Sequence, residues 1–270
     1  MPLILKRVEP GRGARWLRDA FALYARRPLG FTMMFVVFLF AALALSLVPF
    51  IGALLQMMTL PLLSLGFMVA SQSALLDGPV RPSQFVLPLQ GDPARRRSLA
   101  ILCLIYGCAA IAILLLCDQI SGGAMERLQT LMAGGPAAPE EIDALLADRA
   151  VSAAALTGTA LATLLSVPFW HAPALVHWGG QSVGQALFSS TLAVWRSKGA
   201  FFVYALVWVG IVIGFGAFAA IAFGLLGMGQ IGSLVALPAG LLFSTVFYVS
   251  LLFTFNDSFG SAEGAPRIEA

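Results

Sequence analysis

The sequence predicts an all-α polytopic membrane protein: a bundle of six transmembrane helices with two cytoplasmic, interfacial amphipathic helices. Three observations predict it. Apolar residues make up 59% of the 270 residues and charged residues only 11%, where soluble domains run at roughly 45–50% and about 25%. Runs free of Asp, Glu, Lys and Arg recur at about the 20-residue length that crosses a hydrocarbon core about 30 Å thick. The basic residues between those runs collect on alternate loops, the pattern that orients membrane proteins. Such a chain cannot cover itself in polar side chains. Disorder, a coiled coil, a disulfide scaffold and a soluble enzyme are therefore excluded.

Residues 13–27 read as an amphipathic helix. Trp16, Leu17, Ala20, Phe21, Leu23 and Tyr24 supply its apolar face, and Arg12, Arg15, Arg18 and Asp19 lie mostly opposite. A basic helix with Trp and Phe on one face suits the headgroup plane and anionic lipid. Pro28 ends it. The first two spans are predicted at 30–47 and 51–75, divided by Val48-Pro49-Phe50-Ile51-Gly52, where proline and glycine together favour a turn. The first span is expected to serve as the insertion signal, since Leu3-Ile4-Leu5 is too short for a cleavable leader.

The third span is predicted at 99–117 and the fourth at 151–170. Residues 118–150 form an acidic loop, expected to be periplasmic. It is broken by Gly134-Gly135-Pro136, and a short helical stretch opens at Pro139-Glu140-Glu141. Residues 182–198 repeat the amphipathic pattern, with Val183, Ala186, Leu187, Leu192, Val194 and Trp195 apolar. Spans five and six follow at 200–226 and 231–255, divided at Gly227-Met228-Gly229-Gln230. Pro61 and Pro238 fall inside spans two and six and should kink them.

Fourteen of the sixteen basic residues then lie on one side, and the outer loop keeps only Arg127 and Arg149. Six spans with that bias put both termini in the cytoplasm and the 118–150 loop outside. The two halves can also be overlaid. Arg27 meets Lys198 at an offset of 171, and Asp77 meets Asp257 at an offset of 180, which suggests parallel repeats flanking spans three and four. Small residues mark close-packing faces: Ala154, Gly158, Ala162 and Ser166 in span four; Gly210 with Gly214, and Gly216, Ala220 and Gly224, in span five. These faces are expected to pack mainly within the monomer.

Chemistry is sparse. No acid or base falls at the middle of a proposed span, where catalysis or ion coupling would need one. No catalytic, cofactor-binding or metal-ligating set can be assembled. Cys103, Cys108 and Cys117 share one apolar run, with no CxxC and no matching histidines. Gly-rich phosphate loops and acid pairs are missing, and the +3 net charge reflects inner loops, not a nucleic-acid surface. The candidate lipid contacts are Arg12, Arg15, Trp16, Arg18, Trp195, Arg196 and Lys198. His171 and His177 flank Pro173 beside Trp170 and Trp178, and are candidates for a pH-sensitive or ligand-binding cytoplasmic mouth.

Several segments carry a resemblance. They are Trp16-Leu17 with Ala20-Phe21, Val48 to Gly52, Leu65-Gly66-Phe67-Met68, Phe169 to Val176, Ala186-Leu187-Phe188-Ser189, Trp195 to Phe201, and Val246-Phe247-Tyr248 followed by Asp257. Together they resemble an uncharacterised family of six-span inner-membrane proteins, mostly beta-proteobacterial. A looser form of the Pro173 to Ser189 stretch is similar to YciC-type membrane proteins. It is also similar to the membrane domain attached to some glycerophosphodiester phosphodiesterases, whose catalytic domain has no counterpart in these residues. The resemblance implies a multi-span location and carries no catalytic residue.

The expected function is a non-enzymatic membrane module that organises anionic lipids or a membrane or cytosolic partner, without a cofactor. The alternative is a transporter or channel for a small neutral or amphiphilic solute, with a path lined by Gln56, Thr59, Ser64 and Ser244.

Overall fold

The computed structural model describes residues 3–132, 139–225 and 229–261. The break expected at 134–136, the turn expected around 227–228 and Arg267 lie outside the described residues. The fold is all-α, with a single two-stranded pairing of chain ends among the described residues.

The chain opens with strand β1 (Leu3–Leu5) and surface helix α1 (Arg12–Arg26). Helix α2 (Pro28–Ser46) starts on a proline, which suits the first turn because its missing N–H has no helical partner there. Phe50, at φ 65°, turns the chain into α3 (Gly52–Met58). Helix α4 (Leu60–Leu75) completes the second span. Pro61 thus does more than kink this span: the helix is divided at Thr59. Proline in the first turn of α4 cannot donate back into α3. The Thr59 hydroxyl and N–H both bond the Gln56 carbonyl, at 2.6 and 3.1 Å.

Helix α5 (Pro93–Ser121) has 29 residues, about 43 Å at 1.5 Å per residue, so it overshoots the hydrocarbon core. Asp92 caps it by accepting from the Ala94 N–H, and Gly122, at φ 58°, ends it. Helices α6 (Ala124–Met132) and α7 (Pro139–Ala147) lie in the acidic loop, joined by an Arg127–Glu141 ion pair in which Nε donates at 2.8 Å. Asp148 caps α8 (Arg149–Phe169) through the Ala150 N–H at 2.8 Å.

Helix α9 (Ala172–His177) follows after a break at Trp170-His171, and α10 (Val183–Arg196) is the second surface helix. Helices α11 (Lys198–Leu225) and α12 (Gly229–Ser258) form the last hairpin, and α12 runs through Pro238 unbroken. Strand β2 (Phe259–Ser261) pairs antiparallel with β1, with Leu5 opposite Phe259. The first and last described segments therefore sit at one end of the bundle.

Six helical stretches among the described residues are long and apolar enough to span: Pro28–Ser46, Gly52–Leu75, Pro93–Ser121, Arg149–His177, Lys198–Leu225 and Val235–Ser258. The packing between them uses glycine where helices approach closely. A Cβ on Gly158 would lie 2.8 Å from Cys117 Sγ, so α8 closes on α5. One on Gly107 would meet Met58 and Leu54, so α3 closes on α5.

Three expectations are corrected. Helix α1 does not lay its aromatic face on lipid. It lies mainly against α11 and α12, with Trp16, Leu17, Ala20 and Leu23 buried. The 3.6-residue period is the same whether an apolar face covers protein or bilayer. Gly13 decides here, because any Cβ would collide with the Ala200 carbonyl. Second, the small faces of α11 make no close helix contact among the described residues: a Cβ at Gly210, Gly214, Gly216 or Gly224 would meet none of their atoms within 4 Å. Third, the halves differ in use. Helix α10 lies mainly against α8 and α9, unlike α1. Asp77 ends α4 at φ 58° and offers only its carbonyl to Arg27 (2.8 Å), whereas Asp257 lies within α12.

Candidate functional site

The last turns of α12 carry Ser250, Thr254, Asp257 and Ser258. At i, i+4, i+7 and i+8 these fall on one helix face. Ser250, Thr254 and Ser258 are buried. This polar stripe organises the end of the bundle where β1 and β2 pair.

Ser250 donates to its own helix at the Phe247 carbonyl (2.6 Å), so the Tyr204 hydroxyl of α11 donates to Ser250 Oγ at 2.7 Å. One turn on, Thr254 donates to the Leu251 carbonyl (2.8 Å). Its oxygen therefore accepts twice, from Trp170 Nε1 at 3.1 Å and from His171 Nε2 at 3.2 Å. That bonding places the His171 proton on Nε2 and leaves Nδ1 as an acceptor with no partner among the described residues. The ring is 0% exposed and has Phe201, Phe255 and Phe259 around it, with ring centres 5.4–6.1 Å away.

At the rim, Asp257 accepts three bonds. Arg12 donates Nε to Oδ2 at 2.7 Å and Nη2 to Oδ1 at 2.9 Å, and Trp16 donates Nε1 to Oδ2 at 2.7 Å. The side chains are 33% and 24% exposed for Arg12 and Asp257, so the fork is partly shielded from water. The hydrogen bond to Asp257 is the main cause holding the Arg12 pKa above its ordinary value, while partial burial pulls the other way. A bidentate guanidinium–carboxylate pair of this kind fixes orientation as well as energy.

The break between α8 and α9 is closed by α10. Ser190 Oγ accepts from the His171 backbone N–H (3.0 Å) and donates to the Val167 carbonyl (3.0 Å). Ser197 Oγ accepts from the Val8 N–H at 3.2 Å, tying the start of the chain to the α10–α11 junction.

The candidate residues thus divide. Arg12 and Trp16 are engaged by Asp257 and do not form a lipid face. Arg15 and Arg18 are exposed on the outside of α1, with Arg18 paired to Asp19 at 3.3 Å. Trp195, Arg196 and Lys198 are exposed at the end of α10 and the start of α11, and the Lys198 ammonium lies 5.4 Å from the Trp195 ring centre. His171 is no mouth residue: it is a buried strut between α8 and α12. His177 is half-buried, and its carbonyl accepts from Arg95 at 3.1 Å. The α12 stripe escaped sequence reasoning, although hydroxyls at i and i+4 leading to an acid at i+7 were a readable signal.

Among the described residues no group of three or more His, Cys, Asp or Glu could hold a metal ion. Two of the residues expected to line a path spend their hydroxyls on their own helices. Thr59 bonds Gln56 and Ser64 bonds Pro61, each within its own segment. A cleft of about 540 Å³ lies instead between α11 and α12, lined by apolar residues that include Phe215, Gly216, Gly224, Gly240 and Phe243.

Over 264 residues the chain is 29% identical to a protein of Burkholderia thailandensis named as a probable inner membrane protein, a match covering 97% of this chain and 96% of the relative. No family model matches the chain, and no solved structure matches it. Six spans and this full-length likeness make the chain a multi-pass inner-membrane protein.

Proposed function

We propose that the protein is a non-enzymatic module of the inner membrane, with both termini cytoplasmic, that organises anionic lipid or a protein partner at its basic end. One observation carries this reading. Polar side chains at the terminal end of the bundle are engaged in joining helices: Asp257 by Arg12 and Trp16, Thr254 by Trp170 and His171, Ser250 by Tyr204. Groups so engaged are poor candidates for substrate chemistry, which needs side chains facing a cavity. The basic segments gather at the same end. Arg27 reaches Asp77, Arg95 reaches His177, and Arg12 reaches Asp257 beside the paired termini.

The experiment is isolation of the intact protein in nanodiscs, with mass spectrometry of whatever accompanies it. The reading expects anionic phospholipid enriched over bulk membrane, or a stoichiometric protein. Bulk lipid composition with no partner would contradict it.

A transporter for a small neutral solute is the second reading, favoured by two spans broken near their polar residues, at Thr59 and at Trp170-His171. Entry of glycerol or urea into proteoliposomes, well above protein-free liposomes, would support it over the module.

A further inference from the structure

Helix α10 is pinned on one side and bare on the other. Ala186, Ser190 and Ala193 are fully buried. Opposite them Gly184, Phe188, Thr191 and Trp195 form a straight exposed stripe at i, i+4, i+7 and i+11. Phe188 is 69% and Trp195 70% exposed. The stripe ends at Arg196 and Lys198, both exposed, with the Lys198 ammonium over the Trp195 ring. The chain then enters α11, a span with Phe202 exposed in its first turns. An aromatic stripe that ends in two cations and leads into a lipid-facing span belongs at the headgroup boundary. There an indole keeps its body in the acyl region and its edge near water.

Helix α1 is the contrast. Its aromatic side is sealed against α11 and α12, and its outward side shows Ala14, Arg15, Arg18, Ala22, Ala25 and Arg26, with no large apolar group to insert. The two surface helices look alike in sequence, yet only α10 presents both parts of a lipid-binding face.

We propose that the outer face of α10 is a phospholipid site selective for anionic headgroups: Phe188 and Trp195 enter the acyl boundary, and Arg196 and Lys198 take the headgroup phosphate. This deepens the module reading and rests on it, since that reading puts the basic end of the bundle at an anionic leaflet. The cation over the Trp195 ring is held where a phosphate just above the indole would meet it.

The test uses the full chain in nanodiscs of phosphatidylcholine with phosphatidylglycerol, one of the two lipids carrying bromine. Bromine quenches nearby indoles, and the difference between wild type and Trp195→Phe isolates Trp195. That difference signal should be quenched more by brominated phosphatidylglycerol than by brominated phosphatidylcholine. The preference should be roughly fivefold for each contributing cation. Arg196→Gln with Lys198→Gln, or Lys198→Gln alone, should bring the two lipids towards parity. Arg15→Gln with Arg18→Gln should leave the preference in place.

Quenching of Trp195 by aqueous iodide but by neither lipid would overturn the site, because the face would then meet water or protein. Parity in the wild type would overturn the charge selection. If anionic lipid accompanies the isolated protein while Trp195 shows parity, the α10 site fails and the module reading stands. Without that enrichment, the lipid part of the module reading fails as well.

Discussion

The indole N–H of Trp16 donates to the carboxylate of Asp257 at 2.7 Å, across 241 residues of sequence. With the Arg12 fork on the same carboxylate, it fastens the first helix to the last. Asp257→Ala would leave both donors without an acceptor. Loss of such a contact should lower stability by about 1–3 kcal/mol. Thermal unfolding in detergent should show Asp257→Ala below Asp257→Asn, since the amide oxygen can still accept from Trp16. Equal melting of wild type and Asp257→Ala would refute the fastening.

The two histidines should differ in reactivity. His171 has 0% exposure, whereas His177 is half-buried at the end of α9. Diethyl pyrocarbonate followed by mass spectrometry should modify His177 first and leave His171 untouched until the protein unfolds. Early modification of His171 would restore the cytoplasmic-mouth reading that the structure replaces.

Glycine substitutions separate packed from open faces. Gly13→Ala drives a methyl into the Ala200 backbone carbonyl, which cannot move aside as a side chain could. The expected loss is about 1–3 kcal/mol. Gly216→Ala and Gly224→Ala meet open space, so alanine's better helix propensity should leave stability unchanged or raise it by about 0.5–1 kcal/mol. Melting temperatures of the three variants check this. A destabilised Gly216→Ala would mean that something covers α11 in the native membrane.

His171→Ala should be more damaging than His177→Ala. It empties a socket between three aromatic rings and removes the Thr254 bond. Large-to-small changes at buried sites cost about 2–5 kcal/mol. Melting of the two variants side by side gives the comparison, and equal effects would contradict the strut role of His171.

Much of this architecture is legible in the chain. Twenty-residue apolar runs are a matter of composition, so six spans can be counted without knowing any contact. Helices α1 and α10 announce themselves by their 3.6-residue period. The period does not say what an apolar face covers: Trp16 is covered by α11 and α12, whereas Trp195 is 70% exposed among the described residues. The division of span two at Thr59 depends on a local choice between bending and breaking at Pro61, which the sequence leaves open. The α12 stripe was hidden because Ser and Thr often bond their own helix. Thr254 does so as well, and only its second and third contacts make it a junction.

The central claim is a six-span bundle with β1 and β2 paired at one end and the acidic loop opposite, the paired end being the one proposed to face the cytoplasm. Its most direct test is labelling of single cysteines placed at Arg7 and at Gly123, in a background with Cys103, Cys108 and Cys117 replaced, using a membrane-impermeant maleimide on intact spheroplasts. The account predicts that position 123 reacts and position 7 reacts only after the membrane is opened. Reaction of position 7 in intact spheroplasts, or of both positions from the same side, would contradict it.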